Sequence, residues 1–332
     1  MKALVVESKE VTRLREIGDP LPGREEVKVR VKRAALCYRD LLQLRGFYPR
    51  MKYPVILGHE VVGQVVEVGE GVKSLEPGDV VVSMTFIPDW SCDRCRAGEE
   101  NSCPNSRLYA QEVDGFFAEE AIIKESTAVK VPEGVSLEGA VVVPCVVGMI
   151  LGGLRRVGLK GGERVLVTGA GGGVGVHAIQ VAKALGAWVA AATGSQEKER
   201  YLSGLADRVV VGESFSEEVR RSGEVDVVVE AVGSPTLQES LKSLRNGGRV
   251  LLVGNVEPSS PFQLRIGYVI LKNLKLIGHV GSTKADLIQG LHMVKEGKVK
   301  PIVQRTVGLG EVLEALNSMG AWKGVGKVLV SF

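Results

Sequence analysis

The chain has 332 residues, of which 45% are hydrophobic and 24% are charged, and this length predicts two globular domains. The charges nearly balance, with 42 Lys and Arg against 39 Asp and Glu, so we expect no nucleic-acid partner. The longest apolar run, 140–153, contains a proline and is shorter than the roughly 20 residues of a membrane helix. Charged residues soon after the start leave no room for a secretory signal. We therefore expect a cytoplasmic protein with no membrane partner.

The first part of the chain has the pattern of a β domain. Short β-type runs at 27–31, 61–68 and 80–84 are separated by Gly, Pro and Asp turns up to about residue 138. From about residue 141, short apolar strands alternate with helical stretches, which predicts a parallel sheet in an α/β domain. The predicted strands of that sheet are 165–168, 189–193, 209–211, 225–229 and 249–253.

The last fifty residues carry a third pattern. We predict helices over 284–296 and 310–319 and a final strand over 326–331. This segment is expected to rejoin the first domain, and the two domains should pack closely around a cleft.

A glycine-rich loop follows the strand that ends at Thr168 and precedes a helical stretch. Glycines in that position let the backbone approach a pyrophosphate, and the N–H groups of the following helix face the phosphates. The alternative is a tight turn before a buried helix, but the strand and helix on either side favour a dinucleotide site. Its predicted contacts are Gly171, Gly172, Gly173, Val174 and Gly175.

The end of the next predicted strand indicates which dinucleotide binds. An acidic residue there would accept hydrogen bonds from the ribose of NAD, but the strand ends in Thr193 and Ser195 with no carboxylate. Ser195, Lys198 and Arg200 could instead receive a 2′-phosphate, which favours NADPH. The alternative is that the two cations belong to a solvated helix face, since glutamates alternate with them.

A cluster of thiols indicates a structural metal. Cys92, Cys95 and Cys103 lie close together with Asp89 just before them. Zinc accepts thiolate and carboxylate ligands tetrahedrally, and a closed site of this kind braces a loop. The fourth ligand is the open question, because Asp93, Glu99 or water could replace Asp89.

Four further residues are candidates for an active site, although they are scattered in the sequence. Cys37, His59, Glu60 and Cys145 each lie beside a turn or a strand end. The residues alone do not show whether these side chains converge. From the residues alone, the favoured interpretation is that the cysteines are buried structural residues and that His59 and Glu60 form a satisfied pair.

Three motifs together resemble one family over the whole chain. Residues 58–63 (GHEVVG), the thiol lobe at 92–103 and the glycine loop at 170–175 follow the order of the medium-chain dehydrogenase/reductases. That resemblance implies a GroES-like catalytic domain over 1–146 and a Rossmann domain over 147–281. It further implies that 282–332 completes the catalytic domain.

The resemblance also implies roles for individual residues. Cys37, His59 and Cys145 match the catalytic zinc ligands of the family's alcohol dehydrogenases, Glu60 matches a glutamate that can exchange onto the metal, and Asp40 matches a carboxylate that orients His59.

Two positions depart from the alcohol dehydrogenases. Asp89 replaces the first cysteine of the lobe, and Arg39 stands where they carry a Ser or Thr that relays the alcohol proton. A guanidinium is effectively always protonated and cannot take that proton, which makes simple alcohol oxidation a doubtful function.

The segment 37–49 instead resembles the quinone oxidoreductases and enoyl reductases, and the whole pattern is most similar to archaeal NADPH-dependent acryloyl-coenzyme A reductases. This resemblance implies reduction of an acyl-CoA substrate, with Tyr48 as proton donor and zinc or Arg39 stabilising the enolate. The alternatives are a zinc alcohol dehydrogenase, a quinone oxidoreductase and a non-catalytic NADPH-binding protein. We also expect a homo-oligomer, a dimer or tetramer, with apolar edges at Val303, Val307 and the terminal strand.

Overall fold

A computed structural model describes residues 1–9, 11–321 and 324–332. Its strands are β1 (Lys2–Ser8), β2 (Val11–Glu16), β3 (Glu26–Ala35), β4 (Val55–Ile56), β5 (Val61–Val68), β6 (Val80–Ser83), β7 (Phe86–Ile87), β8 (Arg107–Leu108), β9 (Glu120–Lys124), β10 (Ala128–Lys130), β11 (Arg164–Val167), β12 (Trp188–Thr193), β13 (Arg208–Val211), β14 (Val225–Glu230), β15 (Leu244–Leu252), β16 (Lys275–Gly278), β17 (Val303–Gly308) and β18 (Lys327–Ser331).

The α-helices connect these strands and cover the sheets. They are α1 (Tyr38–Leu44), α2 (Asp93–Arg96), α3 (Leu137–Val141), α4 (Gly148–Arg156), α5 (Gly175–Ala184), α6 (Gln196–Leu202), α7 (Ser216–Arg221), α8 (Ser234–Ser243), α9 (Ile266–Leu271), α10 (Lys284–Lys295) and α11 (Val312–Asn317).

The first part of the chain is built around a seven-stranded sheet. Its order is β10-β6-β5-β3-β18-β17, with β9 also pairing with β3. Strand β3 alternates as expected for a strand with one buried face, since Val27, Val29 and Val31 are buried. Strand β18 pairs antiparallel with β3, so the end of the chain returns to this sheet.

The terminal strand does not provide the apolar edge that we expected. Strand β18 lies between β3 and β17, and Val307 of β17 is only 6% exposed. Strand β18 is apolar on both faces, and a strand of this kind is buried in the interior of a sheet instead of forming its edge.

The middle of the chain forms a six-stranded parallel sheet in the order β13-β12-β11-β14-β15-β16. This is the doubly wound Rossmann order, in which ligands bind beyond the carboxyl ends of the strands where the order reverses. The reversal lies between β11 and β14, and the glycine-rich loop follows β11. The predicted α/β fold is therefore confirmed, although the short strand β16 was not predicted.

One nearly continuous helical stretch joins the two sheets. Residues Leu137–Arg156 comprise α3, a π-helical turn (Val143–Val147) and α4. Within the described residues, this is the one segment long and apolar enough to cross a membrane, but 83% of its apolar 18-residue window is buried inside the fold, as in the core helix of a globular protein.

Candidate active site and metal centres

Four predicted site residues converge from separate parts of the chain. The ligand atoms of Cys37, His59, Glu60 and Cys145 all lie within 4.8 Å of one another. Cys37 immediately precedes α1, the His–Glu pair immediately precedes β5, and Cys145 lies in the π-helical turn. Such turns interrupt regular helices and occur frequently at functional sites.

The imidazole of this cluster is held by a buried carboxylate. Nδ1 of His59 lies 2.8 Å from Oδ1 of Asp40, and both side chains are fully buried. The second oxygen of Asp40 accepts the backbone N–H of Cys37 at 2.9 Å. Burial lowers the pKa of His59, but the charge of Asp40 together with the hydrogen bonds to Asp40 and Cys37 raises that pKa to about 9. The carboxylate therefore keeps a proton on Nδ1 and leaves Nε2 toward the other ligands, as metal-bound histidines require.

The donor set fits zinc. Two thiols, an imidazole and a carboxylate are all zinc ligands, and Oε2 of Glu60 is buried with no hydrogen-bond partner in the described part of the chain. A hydrogen bond from Cys145 lowers the pKa of Cys37, and the same bond raises the pKa of Cys145. The Cys37 thiol therefore loses its proton more readily, and the resulting thiolate is the form that binds metal.

Sequence reasoning missed a lysine behind this cluster. Nζ of Lys327 donates to Glu60, with both side chains buried, and to the carbonyl oxygen of Leu36 at 3.0 Å. A Cβ atom on Gly173 would lie 2.8 Å from the Lys327 side chain. Lys327 therefore connects the glycine loop to the metal cluster. The sequence does contain a signal for this residue, a lysine at the start of an apolar strand. A lysine buried with such a strand needs an anionic partner, which here is Glu60.

The glycine loop is shaped for close backbone approach. Gly169 has a φ of +55°, and a Cβ atom on Gly175 would lie 2.3 Å from the Gly169 carbonyl oxygen, which only glycine avoids. Helix α5 begins at Gly175, so its first N–H groups face the loop that contains Gly171, Gly172 and Val174. This arrangement fits a pyrophosphate.

The residues predicted to select the dinucleotide lie beside that loop. Thr193 ends β12 and accepts the backbone N–H of Ser195 at 3.2 Å. Lys198 lies across the loop, because a Cβ atom on Gly171 would be 2.5 Å from its side chain, and partial burial lowers the pKa of Lys198. Arg200 is exposed. Of Lys198 and Arg200, Lys198 is thus the one that the fold brings to the glycine loop.

A buried histidine fixes the glycine loop from behind. Nδ1 of His177 donates to the Gly173 carbonyl oxygen at 2.7 Å, and Nε2 accepts the backbone N–H of Ile302 at 3.0 Å. Burial lowers the pKa of His177 to about 4. The neutral ring therefore joins the loop to the segment before β17.

The second cluster brings together Asp89, Cys92, Cys95 and Cys103, whose ligand atoms lie within 4.8 Å of one another. Hydrogen bonds from Asn105 and from backbone N–H groups hold the pKa of Asp89 well below its usual range, so this carboxylate is ionised. The donor set fits zinc.

The alternative ligands of the second cluster point elsewhere. The Asp93 side chain is fully exposed, and Glu99 pairs with Arg94 at 2.8 Å. Of the three acids that the sequence left open, the fold turns Asp89 toward the thiols.

Arg39 and Tyr48 lie together beside the first cluster. The guanidinium carbon of Arg39 is 5.8 Å from the centre of the Tyr48 ring, within the range of a cation–π contact. Arg39 also donates to the Tyr109 carbonyl oxygen at 2.9 Å, while its buried Nε has no hydrogen-bond partner among the described residues. Burial raises the pKa of Tyr48, so its hydroxyl keeps a proton at neutral pH.

Comparison with known proteins gives consistent relatives. The family model "Alcohol dehydrogenase GroES-like domain" matches residues 23–133, and "Zinc-binding dehydrogenase" matches residues 173–296. Two relatives are named acryloyl-coenzyme A reductase. The one from Sulfurisphaera tokodaii is 55% identical to this chain over 99% of both chains. The one from Metallosphaera sedula is 53% identical over 100% of both chains. The crystal structure of AibC is 35% identical and superposes with a TM-score of 0.92, covering 100% of this chain and 95% of that one.

Proposed function

The chain belongs to the medium-chain dehydrogenase/reductase superfamily, and we propose that it reduces acryloyl-CoA to propanoyl-CoA with NADPH. The observation that carries this proposal is the pairing of Arg39 with Tyr48 beside the metal cluster. The pair provides a cation and a proton donor where an alcohol dehydrogenase needs a hydroxyl relay. The two full-length relatives named acryloyl-coenzyme A reductase support the same substrate.

The reaction needs two bound groups that this fold can hold. NADPH, on the glycine loop, would supply the hydride for the β carbon, and zinc, held by Cys37, His59, Glu60 and Cys145, would supply a Lewis acid. Asp40 orients His59 through its 2.8 Å hydrogen bond. Lys327 balances the charge of Glu60 and keeps this carboxylate beside the cluster.

Tyr48 and Arg39 act on the enolate that follows addition at the β carbon. Negative charge appears on the thioester oxygen, and the guanidinium of Arg39 stabilises it electrostatically. The Tyr48 hydroxyl, protonated because burial raises its pKa, donates the proton to the α carbon. The cation–π contact holds the ring beside Arg39.

The choice of NADPH over NADH is supported by the residues beside the glycine loop. No acidic residue ends β12, and Lys198 reaches across Gly171. A 2′-phosphate near Ser195 and Lys198 would gain charge-assisted hydrogen bonds.

A zinc alcohol dehydrogenase is the second candidate, and the complete donor set of the first cluster favours it. The deciding experiment follows NADPH absorbance after adding acryloyl-CoA, crotonyl-CoA or a panel of aldehydes to zinc-replete enzyme. Oxidation of NADPH with acryloyl-CoA supports the reductase. Turnover with an aldehyde and none with the enoyl thioesters would overturn it and return the chain to the alcohol dehydrogenases.

The domain division and the cellular setting are also proposals. Pairing of β18 with β3 supports a catalytic domain of 1–146 plus 282–332, with 147–281 binding the dinucleotide. All five cysteines lie in the two metal clusters and none forms a disulfide, which suits the reducing cytoplasm.

The same proposal includes a homo-oligomer. Strand β16 is an edge strand of the parallel sheet. The preceding helix α9 exposes Ile266, Ile270 and Leu271 by 67%, 67% and 81%. An unpaired edge next to exposed apolar side chains is the type of surface that a second copy covers.

A further inference from the structure

The loop that follows α1 combines cations and aromatic rings at the surface. Residues 45–54, here called the basic loop, read RGFYPRMKYP and contain no acid. Arg45, Arg50 and Lys52 are exposed, and Phe47 and Tyr53 are 42% and 40% exposed. A surface of this composition suits a ligand that carries both phosphates and an aromatic base.

The inner side of the basic loop is firmly attached. Just before the loop, the side-chain amide of Gln43 in α1 donates to the Ala110 carbonyl oxygen at 2.7 Å. Within the loop, the backbone N–H of Lys52 donates to the Gln111 carbonyl oxygen at 2.8 Å. The outer side chains are therefore presented from a fixed backbone, so that a ligand does not have to order the loop as it binds.

Two other lysines, Lys272 and Lys275, lie on a different part of the fold. Lys272 donates to the Leu244 carbonyl oxygen and pairs with Glu224 at 3.1 Å, and Lys275 begins β16. Both lie at the amino ends of the parallel strands, opposite the cofactor loop. The basic loop instead contains Tyr48, whose ring lies beside the reacting centre.

The two cations that follow Tyr48 remain available to a ligand. Nη2 of Arg50 is 3.6 Å from Glu112, a long contact, and this carboxylate also accepts the Leu108 backbone N–H at 3.0 Å. No ion pair of Lys52 is found in the part of the chain that the structure describes. Exposed pairs of this kind contribute little, so a phosphate can compete with Glu112 for Arg50.

We propose that the basic loop binds the phosphorylated adenosine end of the CoA thioester, through Arg50 and Lys52 for the phosphates and an exposed aromatic ring for the adenine. This inference rests on the proposed function. The backbone N–H of Met51 donates to the Tyr48 carbonyl oxygen at 3.3 Å and closes a turn, so these two cations lie closer to Tyr48 than the about 7 to 14 Å that an extended chain would span. The pantetheine arm bridges that gap, with the thioester at the metal cluster and the phosphates at the rim. Binding energy from such a remote group then holds the reacting end in place.

The test compares acryloyl-CoA with acryloyl-pantetheine, which lacks the phosphates and the adenosine. The variant Arg50→Gln/Lys52→Gln should raise the KM for acryloyl-CoA about tenfold and the KM for acryloyl-pantetheine less than about twofold. In the wild type, KM for acryloyl-CoA should rise with salt, and this dependence should weaken in the double variant. Lys160→Gln is the matched control, since Lys160 is exposed and lies before β11, at the opposite end of the sheet.

Each failure has its own signature. Turnover by the wild type with the same KM in the double variant would overturn the inference and leave the proposed function standing. An equal rise in KM for both thioesters, or for NADPH, would also overturn it, because the loop would then not discriminate the CoA end. A wild type that reduces neither thioester would overturn the proposed function, and the inference with it.

Discussion

The ammonium group of Lys327 donates a hydrogen bond to the carboxylate of Glu60, and the two side chains are 4% and 0% exposed. Breaking a buried ion pair by removing one partner leaves a charge without compensation. We expect Lys327→Met to lower the free energy of unfolding by about 3 to 5 kcal/mol, measured by urea denaturation. The double variant Glu60→Gln/Lys327→Met should recover part of this loss. Equal stability of Lys327→Met and the wild type would contradict a structural ion pair.

We expect metal binding at the second cluster to depend on the carboxylate of Asp89. Asp89→Ala should reduce the zinc content by one ion per chain and lower the thermal midpoint, because only three thiols remain. Elemental analysis of purified protein measures the first effect and calorimetry the second. Asp93→Ala is the control, since Asp93 is fully exposed. Equal zinc in both variants would show that the three thiols hold the ion without Asp89.

Removal of the Tyr48 hydroxyl should slow the reduction. Tyr48→Phe keeps the ring over Arg39 but loses the proton donor, and we expect kcat with acryloyl-CoA to fall about 100-fold or more. The dissociation constant of NADPH, measured by fluorescence titration, should not change, because the glycine loop lies elsewhere. An unchanged kcat would assign protonation to water or to another group.

Cofactor preference should depend on Lys198. Lys198→Gln should raise the KM for NADPH about tenfold or more and leave that for NADH nearly unchanged, because the charge-assisted bond to the 2′-phosphate is lost. Arg200→Gln is the matched control, since Arg200 is exposed on the same helix. Equal effects on both cofactors would place Lys198 at the pyrophosphate that they share.

Acid should destabilise the protein through His177. The folded state holds the pKa of His177 at about 4, below its usual 6.5, so between these values the unfolded chain binds more protons. The contribution of the neutral His177 ring to the free energy of unfolding is therefore fully present above about pH 6.5. It decreases as the pH drops toward 4, by a total of about 3 kcal/mol. Urea denaturation from pH 4 to 7 should show a steeper slope for the wild type than for His177→Gln. Parallel slopes would exclude this contribution.

Local patterns in the sequence predicted most of the fold. The glycine loop and the thiol spacing are short-range features, because a turn, a phosphate cradle and a metal loop depend on residues that are neighbours in the chain. The alternation of short apolar runs with helical stretches likewise predicted five strands of the parallel sheet. Strand β16, Lys275–Gly278, was missed because four residues with a lysine at the start carry too little pattern.

The convergence of the site was decided by tertiary structure. Cys37, His59 and Cys145 meet because a helix start, a strand start and a π-helical turn pack against one core. Glu60 meets Lys327 because β18, near the chain end, inserts beside β3. Periodicity and spacing report how each segment folds locally, whereas contacts between distant segments follow from how their apolar faces are buried together. The sequence therefore determined the separate motifs, and only packing decided which side chains meet at the candidate metal centre.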